Sequence, residues 1–453
     1  MAESTNTIQK EIQDREAKEK RELRRKRRRR NQILAILTLL LFVCLIVAII
    51  GTGVWYIMHR GAGKTAGGGA ATTEETTIDN LFESEDEIVK PEETNTEPAL
   101  TPEQQLDAIL DEAFISQMPL EDKVAGLFIV TPESITGVSK AVKAGDGTKD
   151  ALNKYAVGGI VYASQNMQDA AQFTEMVSNT TLYSRYALFT CVAEEGGSST
   201  SLEKAGLADK TDSEQAMGTG ADAAKAYEAS GKIADSMLTY GLNLNFAPVA
   251  DLATVQDSYL KDASYGSDAA LAASLVTSAV QGMQEKGISS CLKYFPGAAD
   301  MKEDPAKGMA TSERTAEQLA AEEFTVFKAG IDAGADMVMV GHVAVPALTG
   351  DNTPCSLSSA VITDKLRNEL GFNGVIITDA MNKGAITEYY EADEAAILAL
   401  KAGCDMILCP DDFEKAYNGV LEAVQNGTIS EERINDSLRR IYRIKYAGMM
   451  PEA

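Results

Sequence analysis

The hydrophobic pattern divides the chain into three unlike stretches. Residues 33–58 are apolar almost throughout, longer than the ~20 residues a helix needs to cross a hydrocarbon core. Residues 59–102 show no hydrophobic periodicity, being rich first in Gly and Ala, then in Thr, Glu, Asp and Pro. Such a composition cannot bury a core and predicts a disordered acidic linker. From about Leu106 onward, apolar helical patterns alternate with short β-branched runs. These runs predict strands at 127–131, 159–163, 188–192, 243–249, 289–295, 337–343, 375–378 and 405–408. Helical patterns separate most of them, for example at 270–286, 313–333 and 391–402. Several runs are continuously apolar, as strands covered on both faces must be. Alternating β and α elements imply a parallel sheet, and eight units fit a (β/α)8 TIM-type barrel. A doubly wound open sheet is the alternative, but no G-x-G-x-x-G follows the first strand.

Charge orients this plan. Of 42 Lys/Arg and 67 Asp/Glu, residues 1–31 hold 12 and 6, which leaves 30 basic against 61 acidic side chains for the rest. So acidic a bulk repels nucleic acid. The basic cluster 24–30 precedes the apolar run, and only His59, Arg60 and Lys64 follow closely. The positive-inside bias therefore predicts an uncleaved, single-pass cell-membrane protein with a cytoplasmic N-terminus and an extracytoplasmic barrel. The run is too long for the apolar core of a cleaved signal peptide. The expected organisation is a basic cytoplasmic tail at 1–31, a transmembrane helix at 32–58, the linker at 59–102 and the barrel domain at 103–453. Gly61-Ala62-Gly63-Lys64-Thr65 mimics the tail of a phosphate-binding loop, but no strand precedes it and the position of the first glycine is Met58. The six cysteines follow no disulfide or zinc spacing and read as small buried hydrophobes. Neither a metal nor a cofactor is expected.

In a barrel the chemistry sits where strands end and βα loops begin. Polar groups fall there at Glu194, Glu195, Asp251, Lys293, Tyr294, His342 and Asp379. Asp379 directly follows a β-branched strand and would point into the mouth; alternatively it caps the next helix.

These strand ends also resemble a known family. Lys293-Tyr294-Phe295-Pro296-Gly297 resembles the Lys-His-Phe-Pro-Gly motif of glycoside hydrolase family 3. Asn245-Phe246-Ala247-Pro248-Val249-Ala250-Asp251 is similar to a second motif, Glu194-Glu195-Gly196-Gly197 to its Glu-Gly-Gly turn, and Gly334-Ala335-Asp336 through His342 to a fourth. Leu357-Ser358 through Leu370 and on to Met381 resembles the segment that ends in the family's nucleophilic aspartate. The likeness runs in order from about Leu106 to Met449 and is strongest to the β-N-acetylhexosaminidase branch, some members of which consist of the barrel alone. No second sandwich domain is expected.

The resemblance implies retaining hydrolysis of β-N-acetylglucosaminide bonds, typically in cell-wall glycans of the peptidoglycan type. Retention needs a carboxylate nucleophile and a proton donor across the bond. Asp379 takes the nucleophile's place. The branch's donor is a histidine paired with an aspartate on the loop after the fifth strand; Asp304 matches that aspartate, but the histidine position is Ala306. Lys293, Tyr294, His342 and Glu194 fall where sugar contacts are expected. Other family contacts are absent: its sugar-binding aspartate is Ala193, its arginines after the Glu-Gly-Gly turn are Ser198 and Ser201, and a further arginine is Ala263. The expectation is a membrane-anchored glycosidase of impaired or altered activity, with a non-catalytic glycan-binding or scaffold protein at the cell envelope as the alternative. Its partners would be a cell-wall carbohydrate and, through residues 33–58, the lipid bilayer.

Overall fold

The computed structural model describes residues 114–447 apart from Ser199 and Ala299, together with Leu106 and residues 109–111. The predicted tail, span and linker lie outside the described residues. Among the described residues no helix is long and apolar enough to cross a membrane.

Eight strands form one parallel sheet: β1 (Phe128–Val130), β2 (Gly159–Val161), β3 (Phe189–Val192), β4 (Leu244–Asn245), β5 (Ser289–Phe295), β6 (Met337–Val340), β7 (Val375–Thr378) and β8 (Ile407–Leu408). Neighbours pair in chain order and β8 returns to β1. The circle closes at β7 and β8 through one parallel bridge, Ile377 to Met406. The result is a nearly closed TIM-type barrel. All eight expected strands are present, and the alternative of an open doubly wound sheet does not hold.

The strands are short, and apart from Ser289, Tyr294 and Val161 every strand residue is buried, which explains their apolar sequences. The outer helices start where polar caps start them. Asp169, Asp222, Asp268 and Asp412 each accept a backbone N–H three residues on, opening the helices Ala170–Tyr183, Ala223–Thr239, Ala269–Gln284 and Phe413–Gln425. The expected single helix over 313–333 is two, Ala316–Ala321 and Glu323–Asp332, interrupted at Glu322. At that break Arg314 Nη2 reaches both Glu322 Oε2 at 2.6 Å and Glu323 Oε2 at 2.8 Å.

Two features aim the site. Between Leu292 and Phe295, β5 advances three residues while β6 advances two, from Val338 to Val340. Such an irregularity re-aims side chains at a strand end. The chain then turns at Gly297, whose φ is +107° and where a Cβ would lie 2.5 Å from Glu323 Cγ. Only glycine fits that turn. Asp251 secures the same loop by accepting the Ala298 N–H at 2.9 and 3.0 Å.

Candidate active site

A pocket of about 440 Å³ opens at the C-terminal ends of the strands. Its wall includes Ala193, Glu195, Tyr259, Tyr294, Asp304, Ala306, His342, Asp379 and Lys383. Of the six expected site residues, Asp379, Asp304, Tyr294 and His342 line it.

Asp379 follows β7 and is 6% exposed. Its Oδ1 accepts the Ala380 N–H at 2.7 Å and its Oδ2 the Lys383 ammonium at 2.6 Å. The next helix, Gly384–Thr387, has Lys383 at its N-cap, so Asp379 caps nothing. Burial pushes its carboxyl pKa up, but the Lys383 charge, His342 and the two hydrogen bonds outweigh that and hold it below the ordinary carboxylate value. Asp379 therefore stays ionised at neutral pH, as a nucleophile must.

His342 is fully buried. Its Nε2 lies 3.0 Å from the Ala380 carbonyl and its Nδ1 2.7 Å from Ser356 Oγ. A carbonyl can only accept, so Nε2 carries the proton and Nδ1 accepts from the serine hydroxyl. Burial holds the ring's pKa below its ordinary value. Both nitrogens are thus engaged, and His342 props the loop behind Asp379 without a proton to offer a sugar.

Lys293 and Glu195, 2% and 9% exposed, form a buried ion pair at the floor. Behind them Glu214 accepts the Val249 N–H; burial first, then the Glu195 charge, push its carboxyl well above the ordinary value. The Tyr294 ring lies 5.5 Å from Lys293 Nζ and 5.3 Å from Lys383 Nζ, within cation–π range of both. It thus links the Lys293–Glu195 pair to the Lys383–Asp379 pair.

Asp304 accepts the Ala306 N–H at 2.9 Å and caps the turn Pro305–Lys307. Ala306 is exposed and faces the pocket with a methyl group. Among the described residues no histidine stands beside Asp304.

Glu194 is not in this pocket. Side chains alternate along an extended segment, so Ala193 and Glu195 face the mouth while Glu194 faces the other way. It lines a separate cleft of about 230 Å³ and accepts the N–H groups of Ser201 at 2.6 Å and Leu202 at 2.9 Å. Period-two alternation could have found Glu195, because it shares a face with Ala193. Lys383 carried no such signal: it is brought back to Asp379 by the turn in which its N–H meets the Ala380 carbonyl at 3.3 Å.

Burial raises the Glu194 carboxyl from the ordinary 4.5 to about 7, against the pull of the Leu202 and Ser201 N–H groups. The folded state therefore favours the protonated form. That contribution is complete below the unfolded pKa and is lost as pH rises through about 7. Glu194→Gln keeps an acceptor for both N–H groups and should flatten the fall in melting temperature between these pH values. A melting curve for the variant with wild-type pH dependence would show that Glu194 does not titrate there.

Comparison with known proteins agrees with this geometry. Residues 119–444 match the family described as Glycosyl hydrolase family 3 N terminal domain. A β-hexosaminidase of Stenotrophomonas maltophilia is 30% identical over 284 residues, covering 60% of this chain and 82% of that protein. A family 3 β-N-acetylglucosaminidase of a Paenibacillus species superimposes with a TM-score of 0.69 at 32% identity, over 74% of this chain and 64% of that one. A β-N-acetylhexosaminidase of Beutenbergia cavernae gives 0.65 at 25% identity, over 73% of this chain and 99% of that one. This chain therefore spans only 64% of the Paenibacillus structure's length. A family match across nearly the whole described barrel, with relatives of one kind, makes the chain a hexosaminidase-like member of glycosyl hydrolase family 3.

Proposed function

We propose that the protein is a membrane-anchored, extracytoplasmic member of the family whose pocket accepts a β-N-acetylglucosaminide of a cell-wall glycan, and whose turnover is severely impaired. One observation carries the reading. The pocket keeps an ionised Asp379 in the nucleophile's place, while the partner of Asp304 is the methyl group of Ala306. Nucleophile and donor must both act for retaining hydrolysis, so the site holds half of the machinery. Asp304 is in the pocket, but its carboxylate is turned to the backbone of its own loop. The phenols of Tyr259 and Tyr294 are pushed well above their ordinary value by burial, with Asp251 or Asp379 adding, which makes them poor acids.

A purely glycan-binding role is the second reading, favoured by a pocket of about 440 Å³ that stays open where charged sugar contacts are replaced by Ala193 and Ala263. Incubating the full-length protein with a nitrophenyl N-acetyl-β-glucosaminide, and separately measuring binding of purified cell-wall fragments, tests both. Turnover lost in Asp379→Asn supports the enzyme. Binding without such turnover supports the second reading, and neither result sinks both.

The anchor rests on the apolar run 33–58 and the basic cluster 24–30. Protease added to intact protoplasts should release a soluble fragment beginning near residue 100. A mature N-terminus beyond residue 58 in untreated cells would contradict the anchor.

A further inference from the structure

We propose, on the reading of Asp379 as nucleophile, that Lys383 is a positioning residue that holds this carboxylate in a resting state and must withdraw before attack. Lys383 Nζ sits 2.6 Å from Asp379 Oδ2, and the Ala380 N–H occupies Oδ1 at 2.7 Å. Both oxygens are therefore engaged, one of them by a full positive charge. A charge-assisted hydrogen bond of this kind lowers the basicity of the acceptor and its power to attack carbon. Lys383 is also able to leave. Its side chain is 26% exposed against 8% for Asp379, and it lines the same pocket. The face of Tyr294, already 5.3 Å from the ammonium in the resting state, would go on stabilising the charge once the carboxylate is released. A sugar entering the pocket would separate the pair and leave the ammonium against that ring alone.

The groups facing Asp379 come from five strand ends: Lys383 after β7, His342 after β6, Tyr294 and Cys291 on β5, Tyr259 after β4 and Cys409 after β8. Burial keeps His342 neutral and raises the two phenols and two thiols, so they too are neutral at pH 7. Lys383 is then the cation among them. Removing it takes away the cation in contact with Asp379, and the nearby Lys293 ammonium is already paired with Glu195, so the Asp379 pKa must rise.

An aryl substrate with a dinitrophenolate leaving group isolates the step from the missing donor. Asp379 Oδ2 forms a bond to the anomeric carbon as the carbon–oxygen bond to the aryl group breaks, and the electron pair leaves with dinitrophenolate, which needs no proton. Water then cleaves the glycosyl ester, adding hydroxyl to carbon and giving its proton to solvent. In the full-length protein, Lys383→Met should release dinitrophenolate at least ~tenfold faster than wild type. Its acid limb should move to higher pH, because Asp379 now protonates sooner. Lys383→Arg keeps the charge and should remain slow; Lys383→Gln repeats the test if the methionine variant does not fold. Carbon-13 NMR of labelled aspartates, with the Asp379 signal identified by its loss in Asp379→Asn, reads the same shift without turnover. An unmoved acid limb and an unmoved carboxyl titration overturn the clamp. Release that survives Asp379→Asn overturns the nucleophile reading and the clamp with it. Release that needs Asp379 but is no faster in Lys383→Met overturns the clamp alone, whereas no release from any variant overturns the nucleophile reading and the clamp with it.

Discussion

Beside an intact hexosaminidase of the family, the full-length protein should release nitrophenol from its N-acetyl-β-glucosaminide ~10²–10⁴-fold more slowly, the worth of a positioned proton donor. On the proposed reading Asp379 is in the nucleophile's place, buried and ionised, so most of the deficit lies on the leaving-group side. His342 is excluded as a donor because Ala380 and Ser356 take both its nitrogens. Asp304 points into its own turn, where it accepts the Ala306 N–H. The neutral residues at Ala193, Ser201 and Ala263 remove charged contacts that in the resembling family hold the sugar, each worth ~1.5–3 kcal/mol. The deficit should shrink as the leaving group improves, since a stable phenolate departs without a proton. Ala306→His restores an imidazole beside Asp304 at an exposed, pocket-facing position and should recover at least ~tenfold of the rate. A wild-type rate equal to the intact relative's, abolished by Asp379→Asn, would mean that another group protonates the leaving oxygen.

The sequence was most legible where one constraint acted alone. β5 and β7 run as expected, with the polar side chains of the mouth, Lys293 and Tyr294 in one and Asp379 in the other, standing at or just after the end of each apolar stretch. β4 and β8 are shorter than their hydrophobic runs. β4 stops short of Pro248, which has no N–H for a ladder, and β8 starts late, where Asp405 turns its carboxylate to the Ile376 N–H and Met406 makes only an isolated bridge to Ile377. The helix over 313–333 was misread as continuous because its periodicity carries no sign of the Arg314 side chain that gathers Glu322 and Glu323. In the site, Asp379 and His342 could be located from strand ends, but their roles could not. What separates a donor from a prop is the partner on each ring nitrogen, and Ser356 lies 14 residues away on a loop that no local pattern reports. The choice of Glu194 over Glu195 failed for a simpler reason. Both are acidic and adjacent, and only the facing of one strand end distinguishes them.

Replacing Asp405 by alanine should destabilise the barrel by ~3–5 kcal/mol, the range for stranding buried charges whose partner is removed. Asp405 is fully buried just before β8, at the joint where the barrel closes through a single bridge. Its Oδ2 accepts the Ile376 N–H at 2.9 Å and Arg367 Nη2 at 2.7 Å. Its Oδ1 accepts Ser437 Oγ at 2.9 Å and Arg440 Nη1 at 3.0 Å, with Arg433 at 3.7 Å. One carboxylate thus ties β7, the helix Ala360–Glu369 and the final helix Glu431–Tyr446 to the seam. Alanine leaves three arginines and the β7 N–H without it. The substitution Asp405→Asn would keep one of the two acceptor oxygens but lose the charge and the second acceptor, and should fall between wild type and alanine. Because Ile376 lies on the strand that delivers Asp379, the same change should loosen the nucleophile's position. Any turnover that depends on Asp379 should therefore fall in the folded Asp405→Asn protein, even well below its melting temperature. Thermal unfolding of the full-length variants in detergent, read by near-ultraviolet circular dichroism, checks the first claim, and rates on the dinitrophenyl substrate check the second. A loss of less than ~1 kcal/mol for alanine would place Asp405 in the class of replaceable surface ion pairs and return the closure of the barrel to backbone pairing alone.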